Sequence, residues 1–147
     1  MKALIQRVNG ASVTIDGETV AAIDKGYLIL FSVTHTDTEE MVNTLARKTI
    51  ALRIFEDVQG KTNRSIMDVN GSIIVVSQFT LYADTRHGNR PGFSEAAKPE
   101  IAIPLYEKYV DLLRLSLGEN RVATGRFGAD MKVRLLNDGP FTIMLEI

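Results

Sequence analysis

No cysteine occurs in the chain, which removes disulfides, thiolate nucleophiles and cysteine-ligated metal sites. A cysteine-free composition agrees with a reducing compartment, and a cytoplasmic location is expected. Tryptophan is absent too, and there are only two histidines, His35 and His87. Neither stands in metal-ligand spacing with the other or with a carboxylate, so no metal or other cofactor is expected. An excess of one charge is also lacking: 17 basic against 18 acidic residues leave a formal charge of −1. A protein that grips long nucleic acid by its phosphates carries a basic excess, so a polynucleotide partner would have to be met by local patches or held by one terminus. No apolar run approaches the roughly 20 residues that span a bilayer, and residues 1–7 contain no segment of signal-peptide length. A soluble protein with no membrane partner is expected. At 147 residues a single domain, 1–147, is expected, able to bury about two-thirds of its unfolded surface without staples.

What the chain does have is two uninterrupted apolar runs. Ile73-Ile74-Val75-Val76 lacks polar alternation, the pattern of a strand buried on both faces, and leads directly into Ser77-Gln78-Phe79-Thr80-Leu81. Two readings fit that exit: a core strand that surfaces, or a platform whose core fixes where Ser77, Gln78, Phe79 and Thr80 point. Residues 27–33 read as a second buried strand. Before it, residues 2–8 alternate loosely up to a turn signal at Asn9-Gly10, and Asp16-Gly17 sits between β-prone runs as in a tight hairpin. A β-meander is therefore expected in the first third. Asp37 or Thr38 is placed to cap a helix running to about residue 55, with Glu39 and Glu40 complementing the dipole of its first turn. Asn70-Gly71 is expected to close a second hairpin. Pro99 starts a helix that stops at Gly118, its inner face being Ile103, Tyr106, Val110, Leu113 and Leu117. Two strands joined by a turn containing Gly139-Pro140 end the chain, which makes the expected class mixed α/β.

The usual catalytic constellations are thin. Ser77 lacks the Gly-x-Ser-x-Gly elbow that exposes a nucleophile, and Thr80 is a hydroxyl without an evident base. If the chain is an enzyme, backbone amides and the substrate itself are the more plausible contributors. Phe127, between Gly125 and Gly128, is placed either to stack on a flat ligand or to fill a β-bulge. The loop over 82–94, with Arg86, His87 and Arg90, reads as either a solvated loop or a phosphate-contacting lid.

Ser77-Gln78-Phe79-Thr80-Leu81 together with Asn137-Asp138-Gly139-Pro140-Phe141-Thr142 resembles the paired signature of the D-aminoacyl-tRNA deacylases (D-tyrosyl-tRNA deacylases). The opening residues 1–8 and the run Thr124-Gly125-Arg126-Phe127-Gly128-Ala129-Asp130-Met131 resemble that family as well, so the likeness covers the chain end to end. A related achiral type carries Pro-Gln-Ala-Thr where this chain has Ser77-Gln78-Phe79-Thr80. Phe141 stands where a smaller aliphatic residue is usual.

The resemblance implies a curled, barrel-like mixed β-sheet with flanking helices, working as a homodimer on aminoacyl-tRNA. It implies that Gly139-Pro140, joined by a cis bond, enters the partner's pocket and excludes the side chain of an L-amino acid while a D-residue or glycine fits. It gives Arg7 the role of orienting that motif. The Phe79 N–H becomes an oxyanion-type donor, Ser77, Gln78 and Thr80 line the pocket, and Phe127 and Met131 lie near the terminal adenosine. The 2′-hydroxyl of that adenosine helps to activate water. Arg86 and Arg90 are expected at the acceptor stem. Two rivals are a general esterase with a Ser77 or Thr80 nucleophile, and a non-catalytic dimer that binds RNA ends.

Overall fold

A computed structural model describes residues 1–147. The two apolar runs become β3 (Gly26–Ser32) and β6 (Ser72–Ser77), which pair in parallel from Gly26↔Ser72 to Phe31↔Ser77. Tyr27, Ile29, Phe31, Ile73 and Val75 pack on one side with α1 (Glu39–Ala51) and α2 (Pro99–Leu117). Leu28, Ile74 and Val76 pack on the other side, inside the curl of the sheet. Burial on both faces is why these runs carry no polar alternation.

β1 (Lys2–Ile15) is antiparallel to β3 through residues 2–8 and to β2 (Glu18–Ile23) through residues 11–15. β8 (Lys132–Glu146) runs antiparallel along the other edge of β1, and β7 (Val122–Thr124) lies parallel to β6. β4 (Arg53–Glu56) and β5 (Thr62–Ser65) form a separate two-stranded ribbon. The result is the mixed α/β, barrel-like sheet with two helices that the sequence led one to expect. No helix is long and apolar enough to cross a membrane.

Several local expectations are corrected. Asn9-Gly10 is not a turn between strands but a bulge inside one long strand: between Val8↔Asn137 and Ala11↔Leu135, β1 spends three residues against two. The extra residue has a purpose visible in the burial. Ala3 and Ile5 face the helices, whereas Ala11, Val13 and Ile15, also odd-numbered, face the barrel interior. A one-residue slip is what turns a strand's apolar face over. Residues 137–140 likewise do not separate two strands. β8 bulges, spending five residues against two between Gln6↔Thr142 and Val8↔Asn137, and then resumes its ladder.

The first helix ends at Ala51 rather than near 55, because Leu52 turns to an extended conformation and Ile54 and Phe55 enter β4. Its cap is Thr38, whose hydroxyl accepts from the Met41 N–H, while Asp37 instead receives the Met1 amino group at 2.7 Å. Asn70 does take the positive φ of a turn. No hairpin forms there, because β5 pairs with β4 and β6 pairs only with β3 and β7. On α2 the inner face holds Ala102, Leu105 and Tyr109 alongside Tyr106, Val110, Leu113 and Leu117. Ile103 is only half-buried.

The tyrosine hydroxyls buried beneath the helices are paired. Tyr109 meets Thr49 Oγ1 at 2.8 Å, and Tyr106 and Tyr27 donate to the carbonyls of Val75 and Leu52 at 2.9 and 3.2 Å. Burial pushes the Tyr27 and Tyr109 hydroxyls well above their ordinary value and Tyr106 up to about 12. The unfolded chain releases these protons first, near pH 10, so their contribution is full below pH 10 and falls as pH rises further. The denaturation midpoint is expected to drop above pH 10, and Tyr109→Phe is expected to weaken that drop while costing about 1 kcal/mol at neutral pH. Gly26→Ala would drive a Cβ into the Ser72 backbone carbonyl. Urea denaturation is expected to register a loss of about 3 kcal/mol, since backbone cannot move aside.

Candidate active site

β6 delivers its last residue, Ser77, to the end of the sheet, where the Gln78 N–H still bonds the Phe31 carbonyl at 2.8 Å. The chain then enters a short 3₁₀ turn, Phe79–Tyr82. The first bond of that turn runs from the Leu81 N–H to the Gln78 carbonyl at 3.2 Å. The amides of Phe79 and Thr80 precede it and have no partner within the turn. A strand anchored on both faces thus ends in two free backbone donors. Gln78 Nε2 donates to Thr80 Oγ1 at 2.5 Å, which fixes both side chains relative to the turn.

A cleft of about 310 Å³ opens beside this turn. Ser77, Gln78 and Phe79 line it together with Phe127, Asp130 and Met131, and with Tyr106 and Ala102 of α2. Thr80 lies outside the lining residues. The Phe127 ring meets Tyr106 edge-on at 5.9 Å, which leaves a ring face for a flat ligand. A Cβ at Gly125 would meet the Met131 thioether and displace it. The Tyr106 hydroxyl is committed to Val75. No histidine lines the cleft, and no group of three or more His, Asp or Glu side chains comes together in the chain to hold a metal ion. Sequence reasoning missed the part played by Ala97, Ala102 and Tyr106, whose only signal was apolar periodicity.

Arg7, Gly139 and Pro140 are gathered elsewhere. Arg7 is buried, its Nε donating to the Asp138 carbonyl at 2.9 Å and its Nη1 to the Ile54 carbonyl at 2.6 Å, with the guanidinium 4.9 Å from the Phe141 ring centre. Asn137 Oδ1 accepts from the Phe141 N–H at 2.7 Å and spans the bulge. The Gly139–Pro140 peptide bond is cis. Gly139 has φ +134, where a side chain is strained, and a Cβ there would also crowd Arg7 Nη2 at 3.2 Å. Both Gly139 and Pro140 are exposed, and neither lines the cleft. Arg7 pairs with Tyr27 and Ser77 with Phe31; four residues along a strand is about 13 Å. Within one chain the knuckle and the cleft do not meet.

The basic loop divides. Arg86 is clasped by Asp84 through Nε–Oδ1 at 2.9 Å and Nη2–Oδ2 at 2.7 Å, and the guanidinium holds the Asp84 carboxyl down at about 2. Arg90 and His87 are exposed and make no ion pair.

Residues 4–146 match the family described as D-Tyr-tRNA(Tyr) deacylase. A D-aminoacyl-tRNA deacylase of Exiguobacterium sp. is 58% identical over 146 residues, covering 99% of this chain and 98% of that protein. A D-aminoacyl-tRNA deacylase of Flavobacterium psychrophilum is 57% identical, covering 99% and 97%. A solved structure described as c-Myc DNA Unwinding Element Binding Protein superposes with a TM-score of 0.95 at 41% identity, covering 100% of this chain and 99% of that one. In class, then, this is a hydrolase of ester bonds. The chain belongs to the D-Tyr-tRNA(Tyr) deacylase family.

Removing the Arg7 guanidinium strands two carbonyls. Arg7→Met is expected to lower stability by about 2–4 kcal/mol in urea titrations, with amide exchange at residues 137–141 accelerating before the rest of the sheet.

Proposed function

We propose that this chain hydrolyses the ester joining a D-amino acid to the terminal adenosine of tRNA, with the Phe79 backbone N–H as the oxyanion donor. The observation that carries the reading is the free Phe79 amide, presented by a doubly buried strand at a cleft that no histidine lines and whose carboxylate, Asp130, is paired with Lys132 Nζ at 2.9 Å. Water adds to the ester carbonyl, the oxygen that becomes negative takes the Phe79 N–H, and the ribose oxygen leaves with a proton. Preorganised donors of this kind typically contribute about 3–4 kcal/mol to the barrier. The adenosine 2′-hydroxyl activates the water, which accounts for chemistry in a cleft that no histidine lines. Phe127 offers its face to the adenine, Met131 packs beside it, and Ser77 and Gln78 shape the aminoacyl end. Thr80, outside the cleft lining and held by Gln78, is not the nucleophile in this reading.

Chirality is set by a second copy of the chain. β8, 15 residues long, pairs only with β1, and Leu135, Leu136 and Met144 on it are exposed. Long apolar edges are otherwise a liability. Pairing there supports a homodimer in which the partner's Gly139 and Pro140 enter the cleft and close it to an L-side chain. Glycine carried by alanine tRNA, with no side chain to exclude, is a second substrate. Of the two loop arginines, Arg90 is the one with charge free for an acceptor-stem phosphate; Arg86 is matched by Asp84.

The test is deacylation of D-tyrosyl-tRNA beside L-tyrosyl-tRNA. Loss of the D-ester only, at least a hundredfold faster than the L-ester, is expected. Ser77→Ala combined with Thr80→Ala is expected to keep deacylation within about tenfold, whereas a hydroxyl nucleophile requires its abolition and a trapped acyl-enzyme. RNA binding without turnover of either ester would leave only the end-binding module.

A further inference from the structure

Phe79 has an unusual setting for a residue whose amide must be aimed. The residue is 57% exposed, and no residue of its 3₁₀ turn is buried. The core that fixes β6 therefore stops just short of the turn. One aromatic contact makes up the difference: the Phe93 ring meets the Phe79 ring nearly edge-on, with centroids 5.0 Å apart and planes at 72°. Such pairs are favourable beyond the area they bury.

Phe93 is itself held from both sides. Asp84 and Gly92 exchange two backbone bonds of 2.8 Å just before it. Just after it, the Ser94 carbonyl meets His35 Nε2 at 2.6 Å and the Glu95 carbonyl accepts from Thr34 Oγ1 at 2.6 Å. The Ala97 N–H then bonds the Val33 carbonyl at 2.9 Å, tying the segment to the chain leaving β3. The loop read from sequence as either a solvated loop or a phosphate-contacting lid also braces the turn from the end of β3.

We propose that Phe93 is a positioning residue: its ring, anchored to the end of β3, holds the Phe79 ring and so sets the direction of the Phe79 amide. This rests on the oxyanion role assigned to that amide above. A positioning residue differs from a packing residue in what its loss changes. Phe93 itself lies outside the cleft lining and outside the core, so its loss is expected to spare substrate binding and stability while the chemical step slows.

The experiment compares wild type, Phe93→Ala and Phe93→Tyr on D-tyrosyl-tRNA, with melting curves and the backbone order parameter of the Phe79 amide by NMR. Phe93→Ala is expected to lower kcat at least tenfold with KM within threefold and the melting midpoint nearly unchanged. The Phe79 order parameter should fall, and Phe93→Tyr, which keeps the ring, should restore both kcat and order. An unaltered kcat or an unaltered Phe79 order parameter in Phe93→Ala overturns the proposal. So does a loss of kcat that follows melting and that tyrosine does not rescue. If wild type hydrolyses no D-ester, the catalytic reading fails by itself, and the order parameter still decides whether Phe93 aims the amide.

Discussion

Everything in this molecule hangs on the parallel pairing of β3 with β6. Two strands buried on both faces cannot shift relative to one another without moving an apolar residue into the wrong layer. Gly26 allows the closest approach at one end, against the Ser72 carbonyl, and the Gln78 amide bonds the Phe31 carbonyl at the other. The pair is therefore registered at both ends. The backbone that emerges beyond Ser77 starts from a fixed point, and that makes it usable for chemistry by amides rather than by side chains. Amide donors need no titration and cannot rotate away, but they are only as well aimed as the chain carrying them.

The second constraint is the β1–β8 ladder, whose two irregularities are different devices. The bulge at Asn9-Gly10 turns the apolar face of β1 from the helix layer to the barrel interior. The bulge over 138–141 pushes Gly139 and Pro140 out of the sheet while Arg7 and Asn137 hold its base. A buried guanidinium bonded to two carbonyls is costly to remove and hard to deform, which suits a rigid wedge. That wedge stands about 13 Å along the strands from the cleft, so the filter proposed above would act on a neighbouring copy.

Electrostatics plays a smaller part than a nucleic-acid substrate suggests. The formal charge is −1, and Arg86 spends its charge on Asp84. The terminus binding proposed above would rest on stacking against an aromatic side chain, one of the two means by which single strands are held. The buried tyrosines on α2 and β3 contribute to packing and satisfied hydrogen bonds, not to proton transfer, since burial keeps them protonated well beyond neutral pH.

By itself the sequence determined the strands β3 and β6, from their unbroken β-branched runs, the second helix from Pro99 to Gly118, and the absence of thiol chemistry. It also carried both signature motifs, because these are local strings whose residue types can be read directly. Only the tertiary structure decided what the turn signals at Asn9-Gly10, Asn70-Gly71 and Asn137-Asp138-Gly139-Pro140 mean. Positive φ and a broken ladder look alike in sequence whether the chain reverses or merely bulges, and the partner strand settles which. The same holds for Arg7 with Asp138, 131 residues apart, and for Phe93 with Phe79. Those contacts depend on which strands lie side by side, and no periodicity within either segment encodes a neighbour supplied by another part of the fold.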